Sequence, residues 1–460
     1  MNAEGTQALL EPAAEAIPAR PLPVPERPYL ERLRADKLRL AALQDTFRAF
    51  WVSRVLVLAA GLATVLMFGS GPTRRVLNPP GVLRGLGGIG DLLAAPVARW
   101  DSAWYLVIAH YGYRPDLGVF TAPRTAFFPL YPLGLRGISD LGVPPVLAGV
   151  LISLGALAAA LYGVHRLTTL EFGGGAGREA ARLAVLLLAL SPMAFFFSAV
   201  YSESLYLALS VAVFWCARNG RWTLACLTGA LATTTRSAGV LLAVPILYLY
   251  LYGPREDCAP TRVRTRWWHP RYCLSADVAW LALLPLGLAL YMGYLGFSGE
   301  SPLAPFHVQE VWGRHFAGPF GGAVDGARAA FDGVRQLLFA QHGRVYFAET
   351  VGDPTVAASH NVVSGAFLLA ATVMLIGVLR RLPRAYGLYV LAALALPLSY
   401  PVSAQPLMSL PRFVVVLFPL PMWLALWLSE HPRLRLPTLM LSASLMMVFL
   451  GQFATWHWVA

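Results

Sequence analysis

The stretch VVSGAFLLAATVMLIGVL, residues 362–379, decides the fold class of this chain. It contains no charged side chain, and with its flanks it reaches the roughly 20 apolar residues that a helix needs to cross a bilayer. Further uncharged stretches lie at residues 55–68, 146–162, 183–200, 278–295 and 414–428. The repetition of this pattern predicts an all-α protein that crosses a membrane many times.

The composition supports the same environment. Apolar residues make up 57% of the 460 residues, and charged residues only 13%. A soluble protein of this length needs more polar side chains to cover its surface. Packed helices of a soluble protein are therefore excluded, and the expected solvent is a lipid bilayer.

The basic residues indicate the topology. The formal net charge is +12, but the arginines lie in short clusters between apolar stretches rather than in one nucleic-acid-binding domain. Placing these clusters in the cytoplasm gives about eleven spanning helices, with the amino terminus inside and the carboxyl terminus outside. Lys37 is the only lysine among 36 basic residues, a bias associated with GC-rich bacterial genomes. We therefore expect a multi-pass protein of the bacterial plasma membrane.

The chain is predicted to divide into a cytoplasmic part, residues 1–50, and a membrane part, residues 51–460. Residues 1–28 are rich in Ala, Pro and Glu, which predicts a disordered tail without a cleavable signal peptide. Residues 29–50 carry apolar residues at helical spacing among arginines. This pattern fits an amphipathic helix on the inner membrane surface, or equally an extension of the first spanning helix.

Two long segments, residues 69–144 and 298–360, fall on the outside in this topology. Both are rich in aromatic and charged residues, so we expect two structured outer loops. In the second loop, apolar residues between positions 329 and 338 alternate with charged ones, which predicts an interfacial helix.

One acidic residue, Asp101, stands among aromatic residues in RWDSAWY, residues 99–105. Because Trp and Tyr favour the membrane interface, this segment is expected at the level of the outer headgroups. A carboxylate there can act as a general base, or it can cap the helix that follows. The residue pattern leaves both roles open.

A second acidic residue, Glu203, lies between two apolar runs. A lone carboxylate is costly to remove from water, so Glu203 is expected to have a partner or a function. It can bind an acceptor sugar or pair with an arginine. Alternatively it stabilises the start of a helix, with Ser202 or Ser204 as the cap.

Three arginines on the predicted outer side suit a lipid phosphate, because a guanidinium stays charged and offers forked donors. These are Arg236 in TTTRS, residues 233–237, Arg412 in LPRFVV, residues 410–415, and Arg314 in PFHVQEVWGRH, residues 305–315. Arg236 and Arg412 fit the role of interfacial anchors about as well.

Several ordered motifs sharpen this interpretation. They are WDSAWYLVIAHYGY at residues 100–113, FFPLYP at 127–132, SPMAFFFSAVYSES at 191–204 and TRSAG at 235–239. Together they resemble the PIG-V family, relatives of GPI mannosyltransferase II, with weaker similarity at residues 302–314 and 411–413. The resemblance implies the GT-C fold, a polytopic helical bundle.

The resemblance also implies an activity: transfer of a sugar, most often mannose, from a polyprenyl phosphate to an acceptor hydroxyl on the outer face. Asp101 would be the base, and the anomeric configuration would invert. Arg236, Arg412 or Arg314 would meet the charge on the departing phosphate. The acceptor would be a glycan, a glycolipid or a protein. Further substrate contacts are expected from aromatic and polar residues of the same motifs, namely Trp100, Trp104, Tyr105, Tyr201, Glu203 and His307.

Asp101 stands alone rather than in a paired Asp-x-Asp motif, and the four cysteines show no metal-ligand spacing. We therefore expect no metal and no cofactor. Two other functions stay open: a transporter or flippase of lipid-linked sugars, and a non-catalytic subunit of a glycosylation complex. The absence of a visible internal repeat argues against the transporter.

Overall fold

The computed structural model describes residues 28–69, 88–94, 96–113, 124–260, 269–339 and 353–459. The chain divides into two compact units, residues 1–41 and 42–460. The predicted tail, residues 1–28, lies almost entirely outside the described residues. The predicted division at residue 50 into a cytoplasmic part and a membrane part stays a prediction.

The described residues form helices joined by short connections. The α-helices are α1 Pro28–Phe68, α2 Gly88–Ala94, α3 Ser102–Tyr111, α4 Leu130–Ser139, α5 Pro145–Phe172, α6 Gly174–Ala189, α7 Glu203–Arg218, α8 Trp222–Thr233, α9 Ala243–Tyr252, α10 Leu286–Phe297, α11 Ala304–His307, α12 Gly321–Phe339, α13 Pro354–Arg381, α14 Arg384–Ser399, α15 Leu410–Val415, α16 Pro419–Glu430 and α17 Pro432–Ala454. Five 3₁₀ turns separate them at Arg124–Ala126, Ala194–Phe197, Ser237–Leu242, Ala276–Leu283 and Val308–Trp312.

Five helical stretches are long and apolar enough to cross a membrane: Lys37–Phe68, Pro145–Phe172, Ala276–Phe297, Pro354–Arg381 and Pro432–Ala454. Three shorter apolar helical stretches lie at Trp222–Thr233, Ser237–Tyr252 and Arg384–Ser399. The predicted all-α polytopic membrane fold is thereby confirmed. The count of eleven spans and the GT-C arrangement stay predictions.

Helix α13 shows how the sequence sets a spanning helix. The Asp353 carboxylate accepts a hydrogen bond from the Thr355 backbone N–H at 2.8 Å, and Pro354 occupies the first turn. Arg380 and Arg381 lie in the last turn, where they complement the helix dipole. The uncharged stretch at 362–379 fills the body of the helix between these signals.

The two predicted outer segments contain helices of their own. The first holds α2, α3 and α4, and the second holds α11 and α12, the latter covering the predicted interfacial helix. Helix α13 begins at Pro354, inside the second predicted segment, and the bounds of that segment stay a prediction. Asp353 and Pro354 supply a helix start that the apolar stretch alone does not reveal.

Small residues bring the long helices close together. A Cβ atom added to Gly163 of α5 would lie 2.5 Å from the side chain of Val211 in α7. A Cβ atom at Gly377 of α13 would lie 1.9 Å from the Trp423 ring in α16. Packing of small residues against large ones is a common way for helices to associate in lipid. Helix α7, flanked by α5 and α8, is held inside the bundle in this way.

Candidate active site

Asp101 lies at the N-cap position of α3, yet its carboxylate makes no cap hydrogen bond. Instead, Nη1 of Arg412 donates to Asp101 Oδ2 at 2.6 Å. The two residues are 311 positions apart in the chain. The geometry therefore argues against a capping role for the Asp101 carboxylate, and it identifies Arg412 as its cationic partner.

Both residues follow a strained backbone position. Trp100 has φ +55°, and Ser409, the N-cap of α15, has φ +69°. The left-handed region is uncommon for residues other than glycine, and such a conformation costs about 1–3 kcal/mol. Backbone strain of this kind is concentrated at functional sites, and here it sets the start of the two helices that bring Asp101 and Arg412 together.

Glu203 is the first residue of α7 and is buried. Its Oε1 atom lies 3.0 Å from Arg236 Nη1 and 3.3 Å from Arg412 Nε. These are ion-pair contacts rather than aligned hydrogen bonds, and Glu203 Oε2 has no hydrogen-bond partner among the described residues. Ser202 forms no side-chain cap, and the structure shows the predicted pairing of Glu203 with arginine, whereas its contact with an acceptor sugar stays a prediction. We call Asp101, Glu203, Arg236 and Arg412 the acid–arginine cluster.

The exposure of the two carboxylates separates their possible roles. The side chain of Asp101 is 18% exposed, whereas that of Glu203 is only 1% exposed. An incoming hydroxyl can therefore reach Asp101 more readily than Glu203. Burial alone would lower the pKa of Arg412, but the charges of Asp101 and Glu203 outweigh burial and raise it. Arg412 thus stays charged between the two acids.

Arg314 adds positive charge beside the cluster. Its guanidinium donates to the carbonyl oxygens of Tyr400 at 3.1 Å and Met408 at 3.2 Å. Burial, and then repulsion by the charge of Arg412, lowers the pKa of Arg314 to about 10. No carboxylate pairs with Arg314 within the described part of the chain. A half-buried guanidinium that no carboxylate neutralises is a suitable partner for a phosphate.

The predicted aromatic contacts lie near Asp101, but their rings are largely covered. Trp100 packs against Trp456 and Trp458, with ring centroids 5.8 and 5.1 Å away. Trp104 stacks on Phe127 at 6.2 Å. The rings of Trp100 and Trp104 therefore pack against other aromatic side chains of the protein. Their contact with substrate stays a prediction.

The two predicted tyrosines make hydrogen bonds within the protein. The Tyr105 hydroxyl lies 2.8 Å from the Ser202 hydroxyl, and the Tyr201 hydroxyl contacts the backbone around Trp100. Burial is the main cause that raises the pKa of Tyr105 to about 12, so its hydroxyl stays protonated at neutral pH.

His307 is the predicted site residue that the fold does not join to the others. It lies exposed at the end of α11, and no hydrogen bond or ion pair links its side chain to the acid–arginine cluster in the described structure. A role for His307 in substrate binding stays a prediction.

Arg54 was missed by reasoning from the sequence. Its guanidinium is buried in α1 and donates to the carbonyl oxygens of Ala189 and Ala194, both at 3.0 Å, and to the Ser198 hydroxyl at 2.6 Å. It therefore holds the connection that leads into Glu203. An arginine at the edge of the uncharged stretch 55–68 was the available signal, because charged residues at membrane depth have partners.

The arrangement suits group transfer to a hydroxyl beside an anion. It offers an accessible carboxylate as a proton acceptor, and arginines whose positive charge exceeds the nearby negative charge. Within the described ranges no group of three or more His, Cys, Asp or Glu side chains is arranged to hold a metal ion. The chemistry available from the described side chains is therefore that of acid–base catalysis and electrostatic stabilisation.

Comparison with known proteins shows what the chain is similar to. Residues 48–253 match the family model described as Mannosyltransferase (PIG-V). Over this region, slightly less than half of its length, the chain is similar to the PIG-V family. The matched region contains Asp101, Glu203 and Arg236 of the cluster, whereas Arg314 and Arg412 lie outside it.

Two curated members of the PIG-V family are similar to this chain. GPI alpha-1,6-mannosyltransferase 2 of Mus musculus is 30% identical over 226 residues, covering 46% of this chain and 44% of the relative. The protein of the same name in Cricetulus griseus is 33% identical over 170 residues, covering 35% and 33%. The similarity thus spans less than half the length of these relatives. No solved structure matches the chain significantly.

Proposed function

We propose that this protein transfers a mannosyl residue from a polyprenyl-phosphate donor to an acceptor hydroxyl at the outer face of the bacterial plasma membrane. The acceptor hydroxyl belongs to a glycan, a glycolipid or a protein. The observation that carries the proposal is the contact of the accessible Asp101 carboxylate with Arg412, beside the unneutralised charge of Arg314. A proton acceptor and a phosphate-binding charge are thereby adjacent.

The proposed reaction forms one bond and breaks one. The acceptor oxygen attacks the anomeric carbon of the mannosyl group while its proton passes to the Asp101 carboxylate. The bond from the anomeric carbon to the phosphate oxygen breaks, and polyprenyl phosphate leaves with the electron pair. Attack from the face opposite the phosphate inverts the configuration. Guanidinium groups already in place stabilise the charge that grows on the leaving phosphate.

The contact between Asp101 and Arg412 describes the protein without substrate. A carboxylate held by a guanidinium at 2.6 Å is a poor base, so the proposal requires Arg412 to turn to another anion. The donor phosphate is that anion, since its several oxygens can accept from more than one guanidinium N–H, whereas Asp101 accepts from Nη1 through Oδ2 alone. Arg236 remains beside Glu203 at 3.0 Å and keeps that buried charge balanced. Binding of the donor thus frees the base.

The stereochemistry can be tested directly. The names of the two relatives describe α-1,6 transfer. An inverting enzyme that makes an α product needs a β-linked donor, because each attack reverses the configuration once. We therefore expect the β anomer of the donor to be consumed and the α anomer to be left.

The main experiment measures mannose transfer by the full chain in lipid nanodiscs. Radiolabelled polyprenyl-phosphate mannose is supplied with bacterial glycolipid extract, and donor binding is followed in parallel. The Asp101→Asn variant is compared with Asp140→Asn, because Asp140 is exposed in the same outer segment and only faces Arg136 at 3.8 Å. We expect Asp101→Asn to lose about 10²–10⁴-fold in turnover while still binding donor. Asp140→Asn should behave as wild type.

Three results would contradict the proposal in different ways. Full turnover by Asp101→Asn would show that Asp101 is not the base. Absence of transfer by the wild type, together with movement of the labelled lipid across vesicle membranes, indicates a transporter. Absence of both indicates a non-catalytic subunit.

A further inference from the structure

The backbone on either side of Trp100 is joined by one hydroxyl group. Tyr201 donates its hydroxyl proton to the Arg99 carbonyl oxygen at 3.1 Å. The Tyr201 hydroxyl oxygen in turn accepts a hydrogen bond from the backbone N–H of Asp101 at 3.0 Å. The Arg99 carbonyl group and the Asp101 N–H group lie on either side of Trp100, whose φ angle is +55°. The Ser102 backbone N–H also donates to the Arg99 carbonyl oxygen at 3.2 Å, and the Tyr201 hydroxyl adds two hydrogen bonds to this turn.

Tryptophan has no preference for this conformation. The left-handed region is crowded for any residue with a Cβ atom, and only glycine, and to a smaller extent Asn and Asp, enters it readily. A bulky residue stays there only when the surrounding structure holds it. The ring of Trp100 is fixed by Trp456 and Trp458, and its peptide groups are fixed by Tyr201. Without the hydroxyl, the backbone is free to relax toward negative φ.

Such relaxation would move Asp101, because its Cα position depends directly on the φ and ψ angles of Trp100. The Asp101 carboxylate now meets Arg412 at 2.6 Å. The Tyr201 ring faces that same guanidinium, with the Arg412 Cζ atom 5.6 Å from the ring centroid. Tyr201 therefore contacts both members of the pair, one through its hydroxyl and the other through its ring.

The side chain of Tyr201 is itself held in place by its neighbours, so it can hold the turn at Trp100. Its side chain is buried and packs edge-on against Phe196 and Phe453, with ring centroids at 5.0 and 6.0 Å. Its chain position, two residues before Glu203, ties the support to the start of α7. Arg54 holds the preceding connection through the Ser198 hydroxyl. The support is thus anchored to the transmembrane bundle.

From these contacts we infer that Tyr201 is a positioning residue for the base: its hydroxyl locks the left-handed turn at Trp100 and thereby aims the Asp101 carboxylate. The inference rests on the proposed function of Asp101. It assigns Tyr201 a task within the protein in place of the sugar contact predicted from the sequence.

The test is a double-mutant cycle of Tyr201→Phe and Asp101→Asn, measured in nanodiscs with polyprenyl-phosphate mannose and glycolipid extract. Phenylalanine keeps the ring packing and removes only the hydroxyl. We expect Tyr201→Phe to lower kcat about 10–100-fold, because small displacements of a reacting group have effects of that size. Donor Kd should change by less than about twofold, since no arginine is altered.

The cycle separates positioning from general structural damage. Since Tyr201 acts through Asp101, adding Tyr201→Phe to Asp101→Asn should leave the residual turnover unchanged. Tyr386→Phe is the matched control, because that buried hydroxyl donates to Glu171 at 2.7 Å and has no contact with Asp101. Its melting temperature should fall at least as far as that of Tyr201→Phe, without a loss of kcat.

Two outcomes overturn the inference alone: an unchanged kcat for Tyr201→Phe, or a double variant whose turnover falls clearly below the residual turnover of a strongly impaired Asp101→Asn. A fully active Asp101→Asn variant, or a wild type without transferase activity, overturns the proposed function and the inference together. The turnover of Asp101→Asn therefore distinguishes failure of the inference on Tyr201 from failure of the proposed function.

Discussion

The two ends of α7 carry similar residues in different bonding states. At its carboxyl end, Arg218 donates to both oxygens of Glu171, at 2.5 and 3.4 Å, and to the Pro254 carbonyl oxygen at 3.0 Å. Tyr386 completes this group by donating to Glu171 at 2.7 Å. We call these residues the Glu171 group.

At the amino end of α7, the charges are balanced but the hydrogen bonds are incomplete. Glu203 faces two guanidinium groups through one oxygen, and its other oxygen lacks a partner among the described residues. Arg412 is divided between Glu203 and Asp101. A saturated ion pair resists rearrangement, whereas an unsaturated one can exchange a partner for a ligand. The comparison indicates a structural role for the carboxyl end of α7 and supports the proposed function of the amino end.

Among changes that compare the two ends of α7, the largest effect is expected from Glu203→Gln. Glutamine keeps the size of the side chain but removes the charge that Arg236 and Arg412 share, so both guanidiniums lose their common anchor. We expect mannose transfer to fall about 10²–10³-fold, the usual loss when one preorganised electrostatic contact is removed. The measurement is single-turnover transfer in nanodiscs. Transfer within about twofold of wild type would show that the amino end of α7 is not needed for the reaction.

The second prediction concerns Glu171→Gln. It leaves the buried Arg218 guanidinium without its counter-charge, and breaking a buried pair costs about 3–5 kcal/mol. We expect a clear fall in melting temperature by fluorescence in detergent, with transfer per folded molecule retained at a temperature well below the transition. Selective loss of transfer in the folded fraction would show that the two ends of α7 are not separate in function.

The third prediction uses the pKa of Arg314. Because this pKa lies at about 10, the side chain is charged at neutral pH and loses its proton as pH rises through about 10. Donor Kd should therefore be constant from about pH 6 to 9 and should rise above that range. In Arg314→Gln, donor binding should be about tenfold weaker and the alkaline change should disappear. Equilibrium binding to nanodiscs measures both, with the exposed Arg328→Gln as control.

The smallest effect is expected from Glu430→Gln, which removes the partner of Arg381. Both side chains are about half exposed, and exposed ion pairs contribute only about 0–1 kcal/mol. Neither the melting temperature nor transfer should change measurably. A loss as large as that of Glu171→Gln would show that exposure does not distinguish the ion pairs of this protein.

The helices were largely predictable, because the signal is local. Residues 362–379 have no charge over five turns, and the structure places them inside α13. Boundaries were less predictable: the start of α13 depends on Asp353 and Pro354, which lie outside the apolar stretch. The short turns that hold Arg236 and Arg412 depend on contacts between distant helices, which hydrophobic patterns do not encode.

The candidate site was predictable in content but not in pairing. Desolvation cost indicated that Glu203 needs a partner, and two arginines supply it. No local pattern connects Asp101 with Arg412, because their contact is created by the packing of α3 and α15. The role of Tyr201 was invisible for another reason: it depends on a left-handed angle at Trp100, and the residue type gives no sign of such an angle.

The length of α7 has a consequence for the surrounding membrane. Sixteen residues give a helix of about 24 Å, whereas the hydrocarbon core of a typical bilayer is about 30 Å thick. The acid–arginine cluster and the Glu171 group are therefore closer together than the two headgroup layers. Either the bilayer thins around the protein or a donor phosphate descends below the surface to reach Arg412. Acyl-chain length thus becomes a variable of the reaction, with thinner membranes lowering the cost of donor entry.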